Sequence, residues 1–209
     1  MALAIFLKER SIMNTTTFTP ENTVMLLIDH QVGTMGWVGS LALDEIKKNT
    51  VALARAAKET GMPLILTSSM EDQAQGPLFD ELIQAVPEAY ENRILRAGMV
   101  DSMKDENFAA AVEATKRKNI IIAGITTDVC VVYPAITAIS KGYNVQVVVD
   151  GSGSPTTLAD ETALRRMESH GVTLTSTNQL IAELAQDWSS ENGGKLIQVL
   201  FEEILSKLH

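Results

Sequence analysis

The chain has 209 residues, 45% of them apolar and 21% charged, a balance that suits one globular domain with a full hydrophobic core. A formal charge of −9 argues against nucleic acid as a partner, because an acidic surface repels phosphate backbones. No stretch approaches the about 18 apolar residues of a membrane span, and the apolar run in "MALAIFLKERSIM" is too short for a signal-peptide core.

Met13 opens "MNTTTFTPEN", a more natural start, so residues 1–13 read as an N-terminal extension and 14–188 as the main domain. "VMLLID" (24–29) is a buried-strand candidate, and 43–61 is an amphipathic helix ending on Gly61. "PLILTSS" follows as a strand, "PLFDELIQAV" as a short helix, "NRILR" as a brief strand and "DENFAAAVEATKRK" as a helix. Next come the strand "NIIIAG", a helix after Cys130, the strand "NVQVVVD", the helix "TLADETALRRMESHG", the strand "VTLTS" and the helix "NQLIAELAQDW". Strands alternating with helices of this length predict right-handed crossovers. The expected fold is therefore a three-layer αβα sandwich around a mostly parallel, doubly wound sheet. "SSENGGK" (189–195) reads as a linker. Beyond it, the stripe Leu196, Ile197, Leu200, Phe201, Ile204, Leu205 and Leu208 marks a terminal helix, expected to pack largely against another subunit.

In an open α/β sheet, ligands bind at the carboxyl ends of the strands. The polar residues at those ends are Asp29, Ser68 and Ser69, Arg96, Thr126 to Cys130, and Asp150. Taken singly each has a plainer account: a cysteine that is a small buried apolar residue, an aspartate that caps a turn, an arginine on the surface. Together, a carboxylate, a guanidinium and a thiol on one rim point to nucleophilic chemistry. Cys130 is the only cysteine, which rules out an internal disulfide and fits a reducing cytoplasm. Thr126, Thr127 and Asp128 are N-cap types, and Pro134 belongs near a helix start. A helix beginning near Cys130 would favour thiolate over thiol, so a lowered thiol pKa is expected.

"LLIDHQVG", "GPLFDEL" and "AGITTDVCV" resemble the isochorismatase-like cysteine hydrolases, and within them the YcaC-like branch of unassigned substrate, from about Val24 to Trp188. The resemblance implies a catalytic triad of Asp29, Arg96 and Cys130. It also implies a cis peptide between Ile125 and Thr126, with the Thr126 and Cys130 amides forming an oxyanion hole. Most members carry lysine where Arg96 matches; arginine keeps its proton, which leaves it an electrostatic or orienting role. Nicotinamidases of the family hold a metal with aspartate and histidines. Here "TSSMEDQAQGP" has no histidine, and His30, His170 and His209 are scattered, so neither metal nor other cofactor is expected.

The reading is a cytoplasmic cysteine hydrolase that cleaves a small-molecule C–N bond, amide-type or nitrile, through a thioester. Gln31 and Trp37 are substrate-binding candidates, with loops 33–41 and 70–77 shaping the pocket; a solvated loop glutamine is the plainer account of Gln31. The resemblance further implies a homo-oligomer, a tetramer or octamer. Two alternatives stay open: a flavodoxin-like nucleotide-binding module using "DGSGSP" (150–155), and a catalytically inert scaffold.

Overall fold

The computed structural model describes residues 17–208; the expected extension, 1–13, lies outside them. In chain order the elements are β1 (Thr23–Ile28), α1 (Val32–Met35), α2 (Leu43–Thr60), β2 (Leu64–Ser69), α3 (Asp80–Ala85), α4 (Pro87–Glu91) and β3 (Ile94–Arg96). There follow α5 (Glu106–Ala114), β4 (Asn119–Gly124), α6 (Val132–Ser140), β5 (Asn144–Val148), α7 (Thr157–Ser169), β6 (Thr173–Thr175), α8 (Thr177–Ala185) and α9 (Glu191–Glu203).

The strands form one six-stranded sheet in the order β3-β2-β1-β4-β5-β6, and every pairing is parallel. Period-two alternation sorts the central side chains onto two faces. Met25, Leu27, Ile121 and Ala123 pack under α2, α8 and α9, whereas Val24, Leu26, Ile28, Ile120 and Ile122 pack under α5, α6 and α7. With helices on both faces, the fold is the doubly wound three-layer sandwich that the alternation of patterns predicts.

Strand order reverses between β1 and β4, so the chain leaves these neighbours in opposite directions and opens a crevice at their carboxyl ends. Their backbones approach closely there. Gly124 sits opposite Ile28, and a Cβ on it would lie 2.6 Å from the Ile28 carbonyl oxygen.

The terminal helix differs from expectation in two ways. The segment 191–195 is not a linker: Ser190 caps α9 by accepting the Gly193 N–H at 2.9 Å, and the helix runs from Glu191. Gly193 is required by packing, because a Cβ there would overlap the Asp187 carbonyl. The helix also packs on its own chain. Leu196, Val199 and Leu200 are buried in the core beside α2 and α8, and Arg55 of α2 pairs with Glu202 and Glu203. Ile197, Phe201 and Leu208 remain exposed. The stripe is wider than the surface that α2 and α8 offer, which is why a pattern reading assigns the whole of it elsewhere.

Candidate active site

Asp29 is the residue immediately after β1, in a left-handed conformation with φ 57°, and it is 2% exposed. Arg96 ends β3, two strands away, and its side chain is 1% exposed. The Arg96 guanidinium meets Asp29 Oδ2 through an Nη atom, donates Nε–H to Thr67 Oγ1 at 3.0 Å, and donates through its other Nη to the Met99 carbonyl. Thr67 in turn donates its hydroxyl proton to the Ile94 carbonyl at 2.7 Å. That commitment leaves only lone pairs for Arg96, so the arginine is clamped on three sides by acceptors.

Cys130 lies after β4 in a π turn, Thr127–Val131, that runs directly into α6. The amides of Val129, Cys130 and Val131 converge on the Thr126 carbonyl at 3.3, 2.8 and 3.2 Å. The Ile125–Thr126 peptide is cis. The Thr126 backbone favours the anionic form of the Cys130 sulfur. The Cys130 amide, the second donor of the expected oxyanion hole, is engaged with Thr126 in this state.

The thiol is not activated at rest. Burial pushes the Cys130 pKa up to about 12; the charge and hydrogen bonding of Asp29 add to the rise, against smaller opposing effects of the Thr126 amide and Arg96. This corrects the expectation of a lowered pKa. The π turn turns the first amides inward onto Thr126, and the charge of Asp29 outweighs that of Arg96 at the sulfur. Burial likewise raises Asp29 above the ordinary carboxylate range, although Arg96 pulls it down. Asp29 Oδ1 is buried with no geometrically formed hydrogen bond among the described residues, which leaves it as the oxygen for a proton.

The other expected rim residues are placed differently. Gln31 is fully buried: its Oε1 accepts the Ser69 N–H at 2.9 Å, and its Nε2 donates to the Ser69 and Gly76 carbonyls. Neither a solvated loop residue nor a free ligand for substrate, it staples the 70–77 loop to β2. Trp37 is half exposed just beyond α1, and its indole N–H makes no hydrogen bond among the described residues. Asp150 accepts the Thr177 N–H and hydroxyl at 2.8 and 2.7 Å and so anchors α8. In "DGSGSP" the Ser152 and Ser154 side chains are buried, bonded to Val148 and Asp160, and Gly153 accepts the Thr127 N–H. This segment braces the cysteine turn and offers no open cradle for a phosphate.

Sequence reasoning missed Thr67 and His30. Thr67 had a signal: Ser69 pairs with Arg96, so Thr67, two residues back, shares the face onto which Arg96 reaches. His30 is fully buried, with Nε2 2.9 Å from the Gly151 carbonyl oxygen, and burial holds its pKa down at about 4. Among the described residues, no cluster of three or more His, Cys, Asp or Glu side chains is arranged to hold a metal ion.

A neighbouring carboxylate, guanidinium and thiol at the switch point give the "GITTDVCV" segment a structural context, and comparison with known proteins bears on it. The isochorismatase domain model matches residues 23–179. The chain belongs to the isochorismatase family. The probable hydrolase YcaC of Escherichia coli K12 is 37% identical over 173 residues, covering 83% of this chain and 82% of the relative. YcaC from Pseudomonas aeruginosa, solved with hexane-2,5-diol and covalent acrylamide, superposes with TM-score 0.86 at 34% identity and covers 92% of this chain and 94% of that one. The Escherichia coli YcaC structure, described as an octameric hydrolase of unknown specificity, superposes with TM-score 0.86 at 35% identity over 91% of this chain and 92% of that one. This isochorismatase-family chain has no helix among its described residues long and apolar enough to cross a membrane.

Proposed function

We propose that this chain is a hydrolase that cleaves a C–N bond of a small molecule, with Cys130 as nucleophile, Asp29 as general base and acid, and Arg96 as the fixed counter-charge. The observation that carries this reading is the Cys130 thiol held against a buried, abnormally basic carboxylate. A thiol with a pKa near 12 supplies almost no thiolate at neutral pH, so its proton must leave as the sulfur attacks. Asp29 is the base within reach, and its free Oδ1 is the receiving atom.

Sulfur attacks the amide carbon and its proton passes to Asp29. The carbonyl electrons move to an oxyanion, stabilised by the Thr126 N–H and by the Cys130 N–H once that amide turns from the Thr126 carbonyl. Collapse expels the amine, which takes the proton from Asp29 and leaves a thioester. Water, deprotonated by Asp29, attacks the thioester; the acid departs and the proton returns to sulfur. The sum is amide plus water giving acid plus amine. A nitrile entering the same site would pass through a thioimidate. Arg96, clamped by Thr67 and Met99, keeps Asp29 from drifting fully to its protonated form.

The relatives supply two further supports. One YcaC structure carries covalent acrylamide, the kind of adduct a nucleophilic side chain forms, and another relative is an octameric hydrolase. A homo-oligomer, tetrameric or octameric, is accordingly part of the proposal, as is a cytoplasmic setting for the lone thiol. The internal bonding of "DGSGSP" speaks against the nucleotide-binding alternative.

The test is a turnover screen of amides, ureas, lactams and nitriles, with Cys130→Ala and Asp29→Asn as controls and mass spectrometry of quenched reactions. The expected result is a mass increase on Cys130 equal to the acyl group, and a loss of about a thousandfold or more in either variant. Turnover that survives Cys130→Ala would overturn the assignment.

A further inference from the structure

We infer that the site takes uncharged amides and turns away substrates that carry a carboxylate. This deepens the hydrolase reading and rests on Cys130 being its nucleophile.

A carboxylate-bearing substrate needs a cation with hydrogen bonds to spare, and among the described residues none acts at the thiol itself. Among the described residues, Arg96 is the one positive charge acting on the thiol, and its guanidinium is engaged with Thr67, Met99 and Asp29 while almost wholly withdrawn from solvent. His30, next along the chain from Asp29, is held neutral by burial and faces the Gly151 carbonyl. Around the mouth, the segments leaving the carboxyl ends of β1 to β5 are 29–42, 70–78, 97–105, 125–134 and 149–156. Lys104 is the one lysine or arginine within them; its side chain is 66% exposed, and Asp101 at 3.4 Å offsets its charge. The same segments carry Glu71, Asp72, Asp105 and Asp128 in addition.

What the mouth offers instead is apolar. Val32, Trp37, Met70, Met99, Val100 and Val129 are large exposed apolar side chains in the segments that follow β1 to β4. A cleft of about 750 Å3 beside β3 is mixed: Met70 and Leu95 stand among the polar Ser68, Glu71 and Asp72, with the engaged Arg96 at its edge. Glu71 there is held by Arg93 through two bonds of 2.8 Å, so Arg93 is no freer than Arg96 to receive an anion. An uncharged amide loses little hydration on entering such a mouth and has its polar atoms met by the Thr126 amide and Asp29. A carboxylate loses much more hydration and enters among acidic groups that outnumber the one exposed lysine. The acid released by hydrolysis carries the charge that the site disfavours, which speeds its departure.

Alkylation by two nearly isosteric reagents tests this without knowledge of the natural substrate. In each case the sulfur displaces iodide, one S–C bond forms, and the thiol proton leaves by way of Asp29. The rate constants of Cys130 with iodoacetamide and with iodoacetate are each divided by that of free cysteine at the same pH and salt. The normalised amide rate should exceed the normalised acid rate by about tenfold or more at low salt, and the ratio should narrow as salt is added. Equal rates, or a faster iodoacetate, would overturn the inference. A folded chain whose thiol reacts with neither reagent would instead remove the nucleophile on which the inference rests. Calorimetry of propionamide and propionate with Cys130→Ala then decides the charge preference alone: tighter amide binding sustains it, and equal or tighter carboxylate binding overturns it.

Discussion

The Arg96 guanidinium and the Asp29 carboxylate form an ion pair across β1, β2 and β3 that is almost wholly removed from water, with side chains 1% and 2% exposed. Such a pair gives little net stability, but breaking it leaves one charge buried and uncompensated.

Replacing Arg96 should therefore separate charge from geometry. Arg96→Met strands Asp29 and should cost about 3–5 kcal/mol in denaturant unfolding. Arg96→Lys keeps a positive charge yet cannot serve Thr67, Met99 and Asp29 together, and should cost about 1–3 kcal/mol while slowing Cys130 alkylation. An Arg96→Lys variant as stable as the parent chain would mean that the three-sided clamp has no energetic role.

Thr67 should behave as a positioning residue. Its hydroxyl accepts from Arg96 and donates to Ile94, so Thr67→Val leaves two buried polar groups unmet at nearly unchanged volume. A destabilisation of about 1–3 kcal/mol is expected, with Thr67→Ser close to the parent chain. The alkylation profile of Cys130 against pH should move upward in the valine variant and stay in place in the serine variant. An unmoved profile in both would assign Thr67 a purely structural part.

Much of this was legible in the residues, and the reason is periodicity. Short apolar runs such as Val24–Ile28 and Ile120–Ala123 are candidates for strands buried on both faces, and their alternation with amphipathic helices argues for a parallel sheet. The carboxyl-end rule then gathers Asp29, Arg96 and Cys130 before any coordinates exist. Side-chain bonding was less visible. Gln31 and Asp150 are polar residues at strand ends, as Asp29 is, yet both are consumed by backbone partners that only the folded loops bring near. The raised pKa of Cys130 was not legible because it comes first from burial and then from the Asp29 carboxylate, while the π turn hides amides that an ordinary helix start would leave open. The glycine pair in 189–195 looks like a hinge in one dimension, whereas one of the two is a contact.

That contact gives a paired prediction within one helix. Gly193→Ala places a methyl group against the Asp187 carbonyl and should destabilise by about 1–3 kcal/mol. Gly194→Ala meets nothing within 4 Å and should stabilise by up to about 1 kcal/mol through helix propensity. Opposite signs from neighbouring residues in urea titrations would support α9 as a docked helix. If both substitutions were neutral, the segment would be the flexible linker after all.

His30 predicts how stability responds to acid. Its ring is fully buried, makes one hydrogen bond to the Gly151 carbonyl, and titrates at about 4 against an ordinary 6.5. Burial is the cause: the charged imidazolium would lose its hydration, and the carbonyl returns only part of it. The unfolded chain therefore binds a proton at a pH where the folded chain does not. Between about 6.5 and 4 the unfolded state gains protons first, so stability falls as the pH is lowered through that window and levels off below it. Two and a half units at about 1.4 kcal/mol each correspond to about 3–4 kcal/mol from this one residue. Carboxylates contribute to the same slope, so the informative quantity is the difference between the parent chain and His30→Gln. An amide can still donate to Gly151 but does not titrate. The stability of the parent chain relative to His30→Gln should fall by about that amount as the pH is lowered from 7 to 4, with unfolding free energies from guanidinium chloride titrations at half-unit steps as the measurement. Parallel curves across the window would show that His30 already carries its proton in the fold, contrary to the buried neutral ring described above.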